Sequence, residues 1–238
     1  HYVDRIIPWL EQHKDVPFFA YLHVFDPHSP YRPRPPYDTV WGHPDDKERM
    51  EEIEKQMKEA EVNLIHKLPM KDEYIAKTGN DPDELLRIYT DWYDGSIVGM
   101  DDEIGRLVDA LKSMGIDDDT LIVFSSDHGE ELWEHGRFFH SHSVYSELSQ
   151  VPLIFRWPNA PGFKTGSTVD RVIENLDIMP TLLELSGING PDVMQGRSLL
   201  PLIDGSGANS WQDRMVFTQT YRNDDKELGN DPEKGHHF

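Results

Sequence analysis

The stretch Leu121-Ile122-Val123-Phe124-Ser125-Ser126-Asp127-His128-Gly129-Glu130-Glu131 joins an uncharged, strand-forming run to an abrupt polar end. Bounded upstream by Gly115-Ile116-Asp117-Asp118-Asp119 and downstream by Gly129, the run reads as a parallel strand buried on both faces. Open α/β sheets bind metals and substrates just beyond the carboxyl ends of such strands. Asp127 offers a hard oxygen there, His128 a nitrogen, and Gly129 lets the chain turn sharply. Asp127 and His128 are therefore candidate metal ligands, although a bare Asp-His-Gly would also serve as a helix cap followed by a surface histidine.

The surroundings favour the metal. His128, His135, His140 and His142 put four of the twelve histidines into fifteen residues. The segment 134–143, Glu-His-Gly-Arg-Phe-Phe-His-Ser-His-Ser, has neither helical nor strand periodicity and is expected to cover a cleft as a loop. If it is locally extended, His140 and His142, separated by Ser141, aim their imidazoles to one side. Upstream, 17–25 reads Pro-Phe-Phe-Ala-Tyr-Leu-His-Val-Phe, apolar enough for a second buried strand, and Asp26-Pro27-His28-Ser29-Pro30 ends it. Were the two strands parallel neighbours, His28 would open onto the same crevice as Asp127 and His128 across about a hundred residues of sequence.

Together, 17–31, 93–107 (Tyr-Asp-Gly-Ser-Ile-Val-Gly-Met-Asp-Asp-Glu-Ile-Gly-Arg-Leu) and 125–131 (Ser-Ser-Asp-His-Gly-Glu-Glu) resemble the sulfatases of the alkaline-phosphatase superfamily. The resemblance continues through 139–155, 175–187 and 195–202, and leaves out roughly 38–80 and the last fifteen or so residues. It implies an α/β fold: an alkaline-phosphatase-like three-layer α/β/α sandwich with a mostly parallel central sheet, incomplete at the N-terminus. It implies that Asp127 and His128 hold a divalent cation, calcium as is usual in sulfatases, with manganese or magnesium as alternatives. His28 matches a histidine that contacts the sulfate or protonates the leaving oxygen. His140 or His142 falls near the place where many members grip a sulfate oxygen with lysine. The catalytic set implied is thus His28, His140 and His142, and the partner is a sulfated small molecule or carbohydrate.

The family's nucleophile is a formylglycine hydrate made from the first residue of Cys-X-Pro-X-Arg or Ser-X-Pro-X-Arg. This chain contains no Cys, and no Ser stands two residues before a Pro with Arg two beyond. It is expected to be an internal or carboxyl-proximal piece, inactive alone, with the nucleophile and the remaining metal ligands upstream. An export signal, for a secreted, periplasmic or lysosomal-type compartment, would lie upstream as well.

With 238 residues, 37% of them hydrophobic, the chain can bury a sizeable core, and no apolar run is long enough to span a membrane. A net charge of −21 argues against nucleic acid as a partner. Asp81-Pro82 opens a helical pattern that ends at Gly115, as one or two core helices with Asp101 and Asp102 on the solvated side. Over 45–61 a second pattern puts Met50, Ile53, Met57 and Ala60 on one face; we read about 40–80 as a helical surface insertion that could set substrate preference. Strands are expected at 151–157 and 215–220, and a helix over 176–185 with Asp177 at its start and Gly187 at its close. A partial catalytic domain would span 1–222, followed at 223–238 by a polar tail or the start of a truncated subdomain. Three functions stand: sulfuric ester hydrolase, phosphate or phosphonate ester hydrolase, and an inert fragment that binds only a cation or a partner.

Overall fold

The computed structural model describes residues 2–62, 71–163, 166–207 and 211–220. Its amino-terminal half is helical: α1 (Tyr2–His13), α2 (Asp46–Glu59), α3 (Lys71–Thr78) and α4 (Pro82–Met114). The start and stop of α4 follow from local chemistry. The Asp81 side chain accepts from the Asp83 amide at 2.9 Å, Pro82 occupies the first turn, and Gly115 closes the helix at φ 72°. The stripe expected between them is one 33-residue helix.

Met50 and Ile53 of α2, Tyr74 of α3, and Leu85 and Ile88 of α4 are fully buried against one another, with Trp92 and the aromatic ring of Tyr31 completing the seam. Burial of each such side chain contributes about 1.5–3 kcal/mol. Segment 40–80 therefore supplies part of the main core through α2 and α3; residues 63–70 lie outside the described ones. Gly95 of α4 lets a 3-10 turn (Tyr37–Thr39) lie directly on the helix, since a Cβ there would stand 2.3 Å from the Tyr37 carbonyl oxygen. This close approach accounts for one glycine of the 93–107 motif by packing alone.

The remaining elements are β1 (Ile122–Ser125), β2 (Glu131–Leu132), β3 (Phe138–Phe139), α5 (Ser146–Ser149), β4 (Leu153–Arg156), α6 (Ile178–Leu185) and α7 (Leu200–Ile203). The strands expected around 121–126 and 151–157 are present and pair with each other, Ile122 opposite Arg156 and Ser125 opposite Leu153. That pairing is antiparallel, as is β2 with β3, so the described strands do not form the mostly parallel sheet expected. With a single neighbour, β1 is half-buried along its length rather than covered on both faces.

Residues 17–25 correct the second expected strand. They form no strand among the described residues, and Phe19, Tyr21 and Phe25 stand exposed, Tyr21 by 80%. A strand exists only as part of a hydrogen-bonded ladder, and no described strand pairs with this segment. Its other side still packs: Phe18 meets Trp9 of α1 edge to face at 5.8 Å. The strand expected at 215–220 is likewise absent, with Met215 and Phe217 exposed and no ladder partner. The tail at 223–238 lies outside the described residues.

Asp177 starts α6 as expected, and does more. Fully buried, it accepts from the Glu174 amide at 3.0 Å, the Arg197 amide at 2.8 Å and the Arg214 guanidinium at 2.6 Å, which ties segment 195–197 to the helix. No helix among the described residues is long and apolar enough to cross a membrane.

Candidate active site

The end of β1 is buttressed on both sides. Asn175 donates its side-chain amide to the Ser126 carbonyl at 2.9 Å, and the Ser126 hydroxyl donates to the His128 carbonyl at 2.6 Å. The Gly129 amide donates to the Leu148 carbonyl at 2.9 Å, and a Cβ at Gly129 would stand 2.0 Å from the Glu147 carbonyl oxygen. Only glycine lets the turn dock on α5 this closely.

From this turn Asp127 projects with its side chain 79% exposed. His128 lies folded back, its Nδ1 2.8 Å from the Gly129 carbonyl oxygen. A carbonyl only accepts, so Nδ1 carries the proton and Nε2 keeps its lone pair free, the arrangement typical of a metal-ligating imidazole. Nε2 lies 3.9 Å from Asp127 Oδ1. Two ligands at about 2.3 Å from one cation stand roughly 3.3–4 Å apart. The pair therefore fits two positions of a divalent cation's shell; among the described residues no group of three or more His, Cys, Asp or Glu completes such a site.

His28 reaches the same place by another route than a strand end. A turn closed by its amide on the Phe25 carbonyl at 2.9 Å turns the chain, and its Nδ1 donates to the Ser29 carbonyl at 2.6 Å, leaving Nε2 free. Ring centroids of His28 lie 6.3 Å from His128 and 4.8 Å from His140, and those of His128 and His140 are 4.1 Å apart. Three imidazoles from three segments thus converge beside the Asp127 carboxylate.

The loop expected over 134–143 contains the turn and the second strand, β3, of the β2–β3 hairpin. Phe138 and Phe139 are both buried, which strict alternation along a strand forbids. Phe139 escapes it by adopting φ 71°, and Ser141 follows at φ 72°. Left-handed backbone at a non-glycine residue costs of order 1 kcal/mol. Segment 140–142 is therefore not extended, and its two imidazoles part company. His140 donates from Nδ1 to Glu130 at 2.8 Å, whereas His142 reaches Glu131 with Nε2 at 2.8 Å.

Sequence reasoning quoted Glu130 and Glu131 without giving them a role. The Glu130 side chain is 6% exposed and Glu131 is fully buried. Their signal was present: two adjacent carboxylates facing two histidines one residue apart. Hydrogen bonding to Glu130 raises the His140 pKa above the ordinary imidazole range, against burial, which lowers it. Burial first, then the nearby Glu130 charge, pushes the Tyr31 phenol well above its usual range. His135 stays apart from the cluster, stacked on Tyr145 at 3.6 Å and bonded to Glu147 at 3.3 Å.

The family model for sulfatases matches residues 1–188. An N-acetylglucosamine-6-O-sulfatase of Bacteroides thetaiotaomicron is 39% identical over 115 residues, 48% of this chain and 20% of that protein. Among solved structures, a phosphonate monoester hydrolase from Silicibacter pomeroyi superposes with a TM-score of 0.68 at 28% identity, covering 88% of this chain and 42% of the other. A protein solved in complex with its substrate D-glucosamine-2-N,6-O-disulfate superposes with a TM-score of 0.65 at 26% identity, covering 94% and 55%. The chain shares with these hydrolases a mixed helix and strand fold of the alkaline-phosphatase-like kind. It spans between 20% and 44% of the length of four curated relatives that it matches.

Proposed function

The chain belongs to the sulfatase family, and from that premise we propose that the whole protein hydrolyses a sulfate ester of a small molecule or carbohydrate at the cluster of His28, Asp127, His128 and His140. One observation carries this: three imidazoles within 6.3 Å of one another, each with Nδ1 engaged by a protein oxygen and Nε2 left to a ligand, beside an exposed carboxylate. Sulfuryl transfer spreads negative charge over the non-bridging oxygens and the departing alkoxide, so oriented N–H donors stabilise the transition state selectively. His140, its Nδ1 tied to Glu130, donates from Nε2 to a non-bridging oxygen. His28, as the imidazolium with its Nδ1–H held by the Ser29 carbonyl, gives its Nε2 proton to the departing alkoxide oxygen and is left as the neutral ring.

Asp127 and His128 hold a divalent cation, for which calcium is our choice over manganese and magnesium, through one oxygen and one nitrogen. When bound, the cation supplies positive charge to the sulfate oxygens. The attacking group on this reading is a formylglycine hydrate contributed by residues other than these 238, which include neither Cys nor Ser-X-Pro-X-Arg. Residues 1–222 form part of one catalytic domain, in which β1 joins a larger sheet of a three-layer sandwich. Similarity to longer relatives supports this. A phosphonate or phosphate ester is the second reading, favoured by the likeness to the phosphonate monoester hydrolase.

The test is an assay of the full-length protein on 4-nitrophenyl sulfate, N-acetylglucosamine 6-sulfate and 4-nitrophenyl phenylphosphonate, before and after chelation and readdition of calcium or manganese. We expect cleavage of a sulfate ester, lost on chelation and restored by metal. Cleavage of the phosphonate ester alone would transfer the assignment to the second reading, and turnover indifferent to chelation would remove the metal role from Asp127 and His128.

A further inference from the structure

Glu131 is the buried carboxylate that the mechanism above leaves unused. It is 0% exposed, and its hydrogen-bond partners come from the hairpin turn and the segment just after β3. One oxygen accepts from the His135 amide at 3.0 Å; the other accepts from His142 Nε2 at 2.8 Å and from the Ser143 hydroxyl at 3.4 Å. Burying a charge is costly unless it is fully paired, and packing alone would be met by an apolar residue of similar volume. The arrangement calls for a role beyond packing.

His142 shows what that role is. Its side chain is 10% exposed, and its second nitrogen, Nδ1, lies 3.2 Å from the carbonyl oxygen of His140. Both nitrogens are thus engaged by protein oxygens, and neither is left for a substrate. His140 differs, since only Nδ1 is engaged, by Glu130, and its ring packs among His28 and His128. The backbone gives an independent sign: Phe139 and Ser141, the residues on either side of His140, are both left-handed without being glycine. Such conformations persist where surrounding contacts over-determine them, and they gather at functional sites.

We infer that Glu131 and His142 form a buried brace that fixes the position of His140, so that both are positioning residues for the reaction. Glu130 holds the His140 ring while His142, anchored by Glu131, holds its backbone. Two adjacent carboxylates, Glu130 just before β2 and Glu131 within it, therefore grip one histidine at two points, the second through His142. The inference rests on the reading that His140 meets the substrate.

Positioning residues behind a catalytic group change turnover about 10–100-fold when removed, and their effect vanishes once the group they position is gone. The full-length protein is assayed on 4-nitrophenyl sulfate as wild type, Glu131→Gln, His140→Ala and the double variant, with Glu131→Asp as a milder change should the amide disturb folding. Glu131→Gln is expected to lower kcat about 10–100-fold with KM changed less than about 2-fold, Glu131→Asp to fall between it and wild type, and Glu131→Gln to add less than about 2-fold to His140→Ala. Full multiplication of the two effects, or a Glu131→Gln enzyme within about 2-fold of wild type, would overturn the brace. If the parent cleaves only the phosphonate ester, the sulfate reading fails and the same cycle is run on that substrate. If it cleaves neither, the four proteins are titrated calorimetrically with inorganic sulfate. Weakening by Glu131→Gln that disappears in the His140→Ala background supports the brace, and equal or absent binding throughout overturns it.

Discussion

Between α2 and α4, Met50, Ile53, Leu85 and Ile88 are fully buried in an apolar cluster, whereas in the β2–β3 hairpin an equally buried Glu131 is met by N–H and O–H donors. The helical seam draws its cohesion from non-directional removal of apolar area from water. The hairpin draws its shape from directional bonds, Glu130 to His140 and Glu131 to His142, each 2.8 Å, and keeps two residues in left-handed backbone. Stability and chemistry are thus assigned to different forces in different places. A substitution in one region should move one property and leave the other.

The largest separation is expected from Asp127→Ala. If Asp127 holds the proposed cation, its loss should lower kcat/KM about 10³-fold or more, while the melting temperature of the chelated protein shifts by less than about 2 °C, because the side chain is 79% exposed. Activity assays beside thermal melts decide it, and retained activity would remove Asp127 from the site. The converse comes from Ile88→Ala in the seam, expected to destabilise by about 2–5 kcal/mol in urea unfolding with kcat per folded molecule within about 2-fold. A selective loss of turnover there would mean that the two regions are coupled.

The smallest effect sharpens the comparison at the rim of the seam, where a buried carboxylate is paired with an arginine. Asp46 accepts from the Arg87 guanidinium at 2.6 and 2.9 Å and from the His43 amide at 2.6 Å; the Arg87 bond is the main cause holding its carboxyl below the usual range. A depressed folded-state pKa contributes stability above the unfolded value, about 3.9, and that contribution fades as pH falls through the folded value. Asp46→Asn should therefore melt below wild type at pH 7 and pH 5, and the gap should close at lower pH. A gap that persists at pH 2.5 would assign the loss to packing instead.

The helical seam was readable because its signals are local. Asp81-Pro82 and Gly115 bracket α4, and Met50, Ile53 and Met57 recur at helical spacing on α2. The end of β1 was readable for the same reason, an apolar run cut off by Asp127-His128-Gly129. What failed was pairing. Segments 17–25 and 215–220 have strand-like composition, but composition names no ladder partner, and no described strand pairs with either. The hairpin escaped notice because β2 and β3 hold two residues each, too short for a period, and because Phe139 and Ser141 turn left-handed without the glycine that would announce it. Hence the rings of His28, His128 and His140 do come together, but not through the parallel strands expected to bring them, and the divergence of His140 from His142 was not foreseen.

Gly129 carries a consequence for motion. Its amide donates to Leu148, and its α-carbon leaves no room for a methyl group against Glu147, so the turn bearing Asp127 and His128 and the first residues of α5 form a single body. In hydrogen-exchange terms the Gly129 amide, although it belongs to a turn, opens only when α5 lifts away, and so exchanges on the slow schedule of a strand. A ligand arriving at Asp127 and His128 meets a backbone turn that is already anchored to α5.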